Sequence, residues 1–383
     1  MRTDAIANNR IKIGNAALIA SVVIQTILLW NVYGWYEAIV PYATLISFVM
    51  LVAATLCYVP PARLIKDVYF WIVSFGCIVA GINLLLIDSG KGAWLTAADV
   101  LIVAYLGDKI KLSRTSVYAL CAYIGFYFYY WTYDVKGYFK GYNTNYGGLV
   151  LITGFVFAVT GITAFRKRLE KETPSGARFL FCFSLFMFAW GYNIIAWYRA
   201  RCALLALIVF AVCLLIPAKV WAKKAFFAIV TALATAGAVV ISIVYVWLGN
   251  ISDSIKLRIF YKDIISGRNE IWADLWSAFW VHPFTGIGSS YKIDVGWMGN
   301  IFEVHNGFLD ILIVHGIIVF AVTAFMWIRM LLPLCEKAAS SIVARSAVMA
   351  VFAILAGSLA ENFFIVPPFL LCTLVLIAIA RSV

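Results

Sequence analysis

The chain has 383 residues, of which 64% are hydrophobic and 13% charged, with a mean hydropathy of +0.95. A soluble domain needs far more charge on its water-facing surface, so the composition excludes one and points to a membrane protein. The formal net charge of +12 is not accompanied by a basic-aromatic pattern, which argues against nucleic acid as a partner.

Apolar runs close to the roughly 20 residues that cross a hydrocarbon core recur from end to end. Their length and lack of period-2 alternation predict helices, the one open-ended way to satisfy every backbone group in lipid. The expected fold is all-α: a polytopic membrane helix bundle forming one integral membrane domain over residues 1–383. About twelve transmembrane helices are expected, at 13–35, 38–59, 68–88, 92–108, 114–133, 145–165, 178–198, 200–217, 225–248, 305–329, 342–361 and 366–382. Basic residues precede the first run, as in a signal peptide, but the run continues to Trp35 without a small-residue cleavage site. It therefore reads as a retained helix.

Lysine and arginine fall in every second connection: Arg2, Arg10 and Lys12; Arg63 and Lys66; Lys109, Lys111 and Arg114; residues 166–178; Lys219, Lys223 and Lys224; Arg329, Lys337 and Arg345; and Arg381. Basic inner segments facing anionic lipid put both termini in the cytoplasm and account for about two thirds of the positive charge. The eight cysteines are scattered through the helices without paired spacing and read as small core residues.

The outer connections are short until residues 250–304, between the ninth and tenth spans, the one polar-rich stretch of domain-like size. Within it the run IWADLWSAFW puts Ile271, Leu275 and Trp276, with Ala278 and Phe279 adjoining, on one apolar face. A short amphipathic helix at the interface is expected, ended by His282-Pro283. Residues 284–290 then form a glycine-bearing turn, which by itself signals tight backbone geometry. A smaller outer loop, residues 133–148, gathers Tyr138, Tyr142 and Tyr146, which suit either sugar stacking or an interfacial aromatic belt.

Three outer features carry candidate chemistry. Arg199 and Arg201 occupy the tight turn after the seventh span, where arginine works against orientation. Residues two apart on a helix diverge by about 200°, so the two are not expected to serve one site, and Arg201, at the helix start, is the better candidate. Interfacial snorkelling is the plain alternative. Arg268 opens the loop helix, where a guanidinium beside free backbone N–H groups makes an anion site; pairing with Glu270 or Asp274 is the alternative. His305 and Asn306 begin the tenth span, with Asp310 about one turn below. Asp310 either orients the site or pairs within the bundle.

Eleven residues are about three helical turns, so His305 and Gly316 are expected on one face, with Gly316 admitting another helix. His305, at a water-lipid boundary, suits a general base or phosphate ligand, or else a helix cap. His315 lies deeper and reads as a packed, hydrogen-bonded residue. Two arginines and a histidine facing outward suit a lipid donor bearing a diphosphate, with the arginines on the phosphoryl oxygens and the histidine taking a proton from an attacking hydroxyl. There is no DxD and no metal-ligand spacing of His, Cys, Asp or Glu, so a site without metal or cofactor is expected.

At these residues the chain resembles the O-antigen ligase and O-antigen polymerase superfamily of bacterial envelope glycosyltransferases. The matching stretches are Arg201-Cys202-Ala203-Leu204-Leu205; Gly267-Arg268-Asn269-Glu270-Ile271-Trp272 with residues 282–288; and His305-Asn306 followed at Gly316. The resemblance spans roughly residues 190–330. It implies an inner-membrane enzyme whose Arg201, Arg268 and His305 line a periplasmic site, with Asn306, Asp310 and Arg199 as possible supporting residues. It also implies an undecaprenyl-diphosphate-linked glycan as donor, with inversion at the anomeric carbon. In the ligase branch the acceptor is a sugar hydroxyl of lipid A–core. In the polymerase branch it is the end of another lipid-linked repeat, and a related protein O-oligosaccharyltransferase is a further alternative.

Ala200 stands where a small hydroxyl residue is frequent in the family, and Val319 where the ligase pattern prefers Gly, Thr or Tyr. The short chain and the histidine motif favour the ligase over an O-antigen or exopolysaccharide polymerase. A lipid-glycan flippase or transporter is the competing class, suggested by twelve spans about a basic central segment. It is disfavoured because Asp99 and Asp310 are the main embedded ionisable residues.

Overall fold

The computed structural model describes residues 2–29, 36–134, 144–252, 267–296 and 303–383. All regular structure among them is helical. The main helices are α1 (Arg2–Leu29), α2 (Tyr36–Tyr58), α3 (Val68–Leu86), α4 (Lys91–Leu106), α5 (Arg114–Asp134), α6 (Thr144–Glu172) and α7 (Pro174–Tyr198). They continue as α8 (Arg201–Leu215), α9 (Lys224–Ala234), α10 (Gly237–Ile251), α11 (Arg268–Val281), α12 (Gly307–Leu331), α13 (Ile342–Gly357) and α14 (Pro367–Ser382).

A helix occurs at each expected span, and the ninth is α9 and α10, bent by 58° at their junction. Five helical stretches are long and apolar enough to cross a membrane, or six if the bent pair is one span. Helices α8, α13 and α14, at 15, 16 and 16 residues, are shorter.

The packing follows from which helices lack a polar face. Helices α13 and α14 are buried almost throughout, as a helix apolar on all sides must be. Helices α8 and α6 pack against α13, and α1 and α4 against α14. On α3, by contrast, Trp71, Phe75, Ile78, Ile82 and Leu85 form an exposed stripe at helical spacing, and Phe179, Phe183, Phe186 and Trp190 do the same on α7. Outward apolar stripes are what lipid-facing helices present.

Several expectations are corrected. The basic segment 166–171 is no loop: α6 runs on to Glu172, and Thr173 caps α7 at Pro174. The expected span 342–361 ends at Gly357, which leaves Glu361 in the turn before the short 3-10 helix Phe363–Ile365. Tyr146 lies on α6, edge-on to Phe369 at 5.9 Å between ring centroids, so it is packed rather than presented for stacking. Tyr138, Tyr142 and residues 253–266 and 297–302 of the long connection lie outside the described residues. All eight cysteines are free, and five are buried.

The tenth span is not a continuous helix. His305 has φ +55° and stands outside α12, while Gly316 inside it has φ +82° and breaks the hydrogen-bond ladder. The two therefore do not share a helical face. What approaches at Gly316 is the turn after α11, not another helix. Ile317 N–H donates to the Pro283 carbonyl at 2.9 Å, Ile287 N–H to Ile313 O at 2.9 Å and Gly288 N–H to Val314 O at 3.2 Å. Carbonyls orphaned by the break are thus satisfied by the turn. A Cβ on Gly316 would collide with the Phe284 carbonyl, and one on Gly286 with that of Val314, so both positions demand glycine. His315 is buried at the break, with its own carbonyl accepting from Asn83 Nδ2 at 2.7 Å.

Candidate functional site

The sequence places Arg201, Arg268 and His305 on three separate segments; one carboxylate gathers two of them directly. Glu361 Oε1 accepts from Arg268 Nη2 at 2.6 Å and from Asn145 Nδ2 at 2.8 Å. Its other oxygen, Oε2, lies 3.1 Å from His305 Nδ1. The charges of both Arg268 and Glu361 act on Arg201, which is half-buried at the first residue of α8.

Each side chain is aimed by its local backbone. Arg268 is the first residue of α11, turned into place by Gly267 at φ +79°. Its partner is Glu361, 93 residues away, rather than Glu270 or Asp274. Asp274 instead accepts from the Tyr291 hydroxyl and the Asp294 N–H. The apolar face of α11 centres on Ile271, Trp272, Leu275 and Phe279. Trp276, expected there, is half-buried and donates to Ser242 Oγ at 3.1 Å. Trp272 Nε1 donates to the Val304 carbonyl at 2.7 Å, which anchors the backbone immediately before His305.

His305 and Asn306 lie alongside Glu361 and Asn362. While the histidine ring meets Glu361, the Asn306 N–H donates to Asn362 Oδ1 at 2.6 Å. Asn362 Nδ2 in turn donates to Asp310 Oδ2 at 3.2 Å. Asp310 thus braces the residue that braces the histidine segment. Asn306 is fully buried and caps α12, its Oδ1 accepting from Leu309 N–H at 3.1 Å. A left-handed φ costs a residue other than glycine on the order of 1–2 kcal/mol. At His305 these flanking bonds oppose that cost.

Glu303, at 3.3 Å from the same Nδ1, adds a second carboxylate. Burial pushes the Glu303 carboxyl above the ordinary range, and the nearby Glu361 adds to this against the pull of His305. At Glu361, which lies outside the helices, burial acts upward too. There it is outweighed by the hydrogen bond from His305, the Arg268 charge and the Asn145 amide, which hold the carboxyl below its ordinary range. Glu303, His305 and Glu361 bring ligand atoms within 4.8 Å of one another, a grouping able to hold a metal ion that linear spacing did not reveal.

Arg199 stands apart. It caps α7 in the left-handed region, φ +51°, and its side chain is exposed, whereas Ala200 beside it is buried against Gly148. Glu361 and Asn145 were missed by the sequence reading. One signal for Glu361 was available: it is the sole acidic residue in the last 47 positions, 337–383, set between two apolar helices.

Arg201, Arg268, His305, Asn306, Asp310 and Gly316 all fall within residues 182–324, which match the family model described as O-antigen ligase. Glu361 and Asn145 lie outside that stretch. No curated protein and no solved structure matches the chain. The all-helical, lipid-faced architecture and the motif residues agree with the match, and over residues 182–324 the chain is similar to the O-antigen ligase family.

Proposed function

We propose that the protein is an O-antigen ligase. On this reading it moves a glycan from undecaprenyl diphosphate to a sugar hydroxyl of lipid A–core, on the periplasmic side of the bacterial inner membrane, in a bundle crossed about twelve times with both termini cytoplasmic. The observation that carries the reading is the Glu361 carboxylate, which bonds Arg268 through one oxygen and faces His305 Nδ1 through the other.

The mechanism follows from that arrangement. A carboxylate on Nδ1 fixes the tautomer with the proton on Nδ1, so that Nε2 carries the free lone pair and acts as general base. Nε2 takes the proton of the acceptor hydroxyl as its oxygen attacks the anomeric carbon. The bond from that carbon to the diphosphate oxygen breaks, and undecaprenyl diphosphate leaves with the electron pair. In-line attack inverts the anomeric centre. Glu361 stabilises the imidazolium that forms, and Arg201 and Arg268 neutralise the charge building on the leaving diphosphate.

The reaction is metal-independent on this reading. Its support is that Glu361 is already engaged by an arginine, an amide and the imidazole, so positive charge for the diphosphate comes from the guanidiniums. The test is transfer by purified protein from undecaprenyl-diphosphate-linked glycan to lipid A–core with excess EDTA, comparing wild type with His305→Ala. Attachment by wild type alone supports the proposal. Longer lipid-linked chains without attachment assign the protein to the polymerases instead. Loss of transfer on EDTA overturns metal independence and turns attention to Glu303, His305 and Glu361 as ligands. No product of either kind from folded protein favours a transporter.

A further inference from the structure

At the opposite end of the bundle from Glu361, a second group of charges converges. Helix α12 begins at the candidate site, breaks at Gly316 and continues to Leu331. Just beyond its end is a cavity of about 420 Å³ bordered by Asp108, Lys111, Leu334, Glu336, Lys337 and Arg381. Three separate segments supply the cations: the turn between α4 and α5, the short helix Leu334–Ser340, and the last turn of α14.

The two acids on the rim each have a cationic partner elsewhere. Asp108 Oδ2 accepts from Arg329 Nη2 at 2.6 Å, its Oδ1 is 3.6 Å from Lys109 Nζ, and Glu336 is 3.5 Å from Lys224. Of the three cations Arg381 feels the charge of Asp108, whose Oδ1 is buried without a hydrogen-bond partner. Among the described residues Lys111, Lys337 and Arg381 have no ion-pair partner, and Arg381 Nε is buried without a hydrogen-bond partner. Arg381 uses only Nη2, on the Met330 carbonyl at 3.0 Å.

Cations in excess of acids around a cavity of this size call for an anion with several acceptor oxygens. We propose that this cavity is a phosphate-binding site, remote from the candidate active site, filled by Lys111, Lys337 and Arg381 clasping either the headgroup of an anionic phospholipid or free phosphate. Its location, at the end of the bundle where the basic segments gather, favours the lipid source.

The test uses the full chain in phosphatidylcholine nanodiscs. Retention of added phosphatidylglycerol is read by native mass spectrometry, and binding of inorganic phosphate by calorimetry. The Lys111→Gln/Lys337→Gln double variant changes an exposed and a half-buried side chain. Arg168→Gln, an exposed basic residue near the same end on α6, is the control for general surface attraction.

The expected result is that wild type binds one of the two probes and the double variant binds it about tenfold more weakly, while Arg168→Gln is unchanged. Phosphatidylglycerol alone identifies a lipid site, and phosphate alone a soluble ligand. Equal binding by the double variant, equal weakening by Arg168→Gln, or no binding of either probe overturns the proposal.

Discussion

His305 Nδ1 and Glu361 Oε2 face each other at 3.1 Å, although 56 residues separate them in the chain. The pairing joins the start of α12 to the turn between α13 and α14, and it gives the candidate base a defined tautomer. Glu361→Gln keeps the shape but removes the charge that stabilises an imidazolium. Transfer measured in the EDTA assay on folded protein is expected to fall by about 10²–10⁴-fold, the range general acid–base contributions span.

Arg268 and Glu361 form a buried pair, their side chains 12% and 10% exposed. Removing one partner strands the other, which costs about 3–5 kcal/mol. Arg268→Ala and Glu361→Ala are each expected to destabilise strongly, and the double variant by less than their sum. A double-mutant cycle of unfolding free energies that closes to within about 0.5 kcal/mol of additivity refutes the coupling.

The pH dependence follows from the same carboxylate. Its folded pKa is depressed below the unfolded value of about 4.3, so the folded state binds the proton less tightly than the unfolded one. The stabilisation is present above that unfolded value and drains away as the pH falls through the folded one. Wild type is expected to lose Tm on acidification below about pH 4.3. Glu361→Gln should show a shallower loss; identical profiles would contradict the assignment.

Gly316→Ala puts a Cβ against the Phe284 carbonyl at a positive φ. Relief requires the turn and the broken helix to separate, so a loss of about 3 kcal/mol or more is expected in unfolding measurements. Ala at Val319, one turn away on the same helix and also buried, is expected to cost about 1–2.5 kcal/mol. Equal costs at the two positions would mean the turn does not brace the break.

Arg199→Ala and Arg201→Ala should separate cleanly. The first removes an exposed side chain outside the cluster, the second a cation that senses Arg268 and Glu361. Transfer is expected to stay within about twofold of wild type for Arg199→Ala and to drop by more than tenfold for Arg201→Ala, since charge-assisted bonds contribute about 1.5–3 kcal/mol.

The helices were legible in the sequence because hydrophobic length is a local property. Each expected span met a helix, and the glycine turn after His282 was read correctly as tight geometry. Three things were not legible. The bend between α9 and α10 and the break at Gly316 interrupt apolar runs whose composition does not change there. The role of residues 282–288 depends on contact with α12, which no spacing reports. Glu361 was invisible as a site residue because its partners lie at 145, 268 and 305. Its own segment reads as the end of a span. Linear metal-ligand spacing failed for the same reason, since Glu303, His305 and Glu361 meet only in the folded chain.

On the proposed function, the salt bridge from Arg268 to Glu361 would also serve as a resting counter-ion. With no donor present, the carboxylate occupies the guanidinium that a diphosphate would seek, leaving the cluster of Arg201, Arg268 and Glu361 one positive charge in excess. A lone anion of low charge must compete with an internal ligand held at 2.6 Å, whereas a diphosphate brings enough charge and enough oxygens to share both arginines. On the same reading, after transfer the carboxylate would reclaim Arg268 and help expel the spent carrier. The pair would thus act both as a threshold on entry and as an aid to turnover.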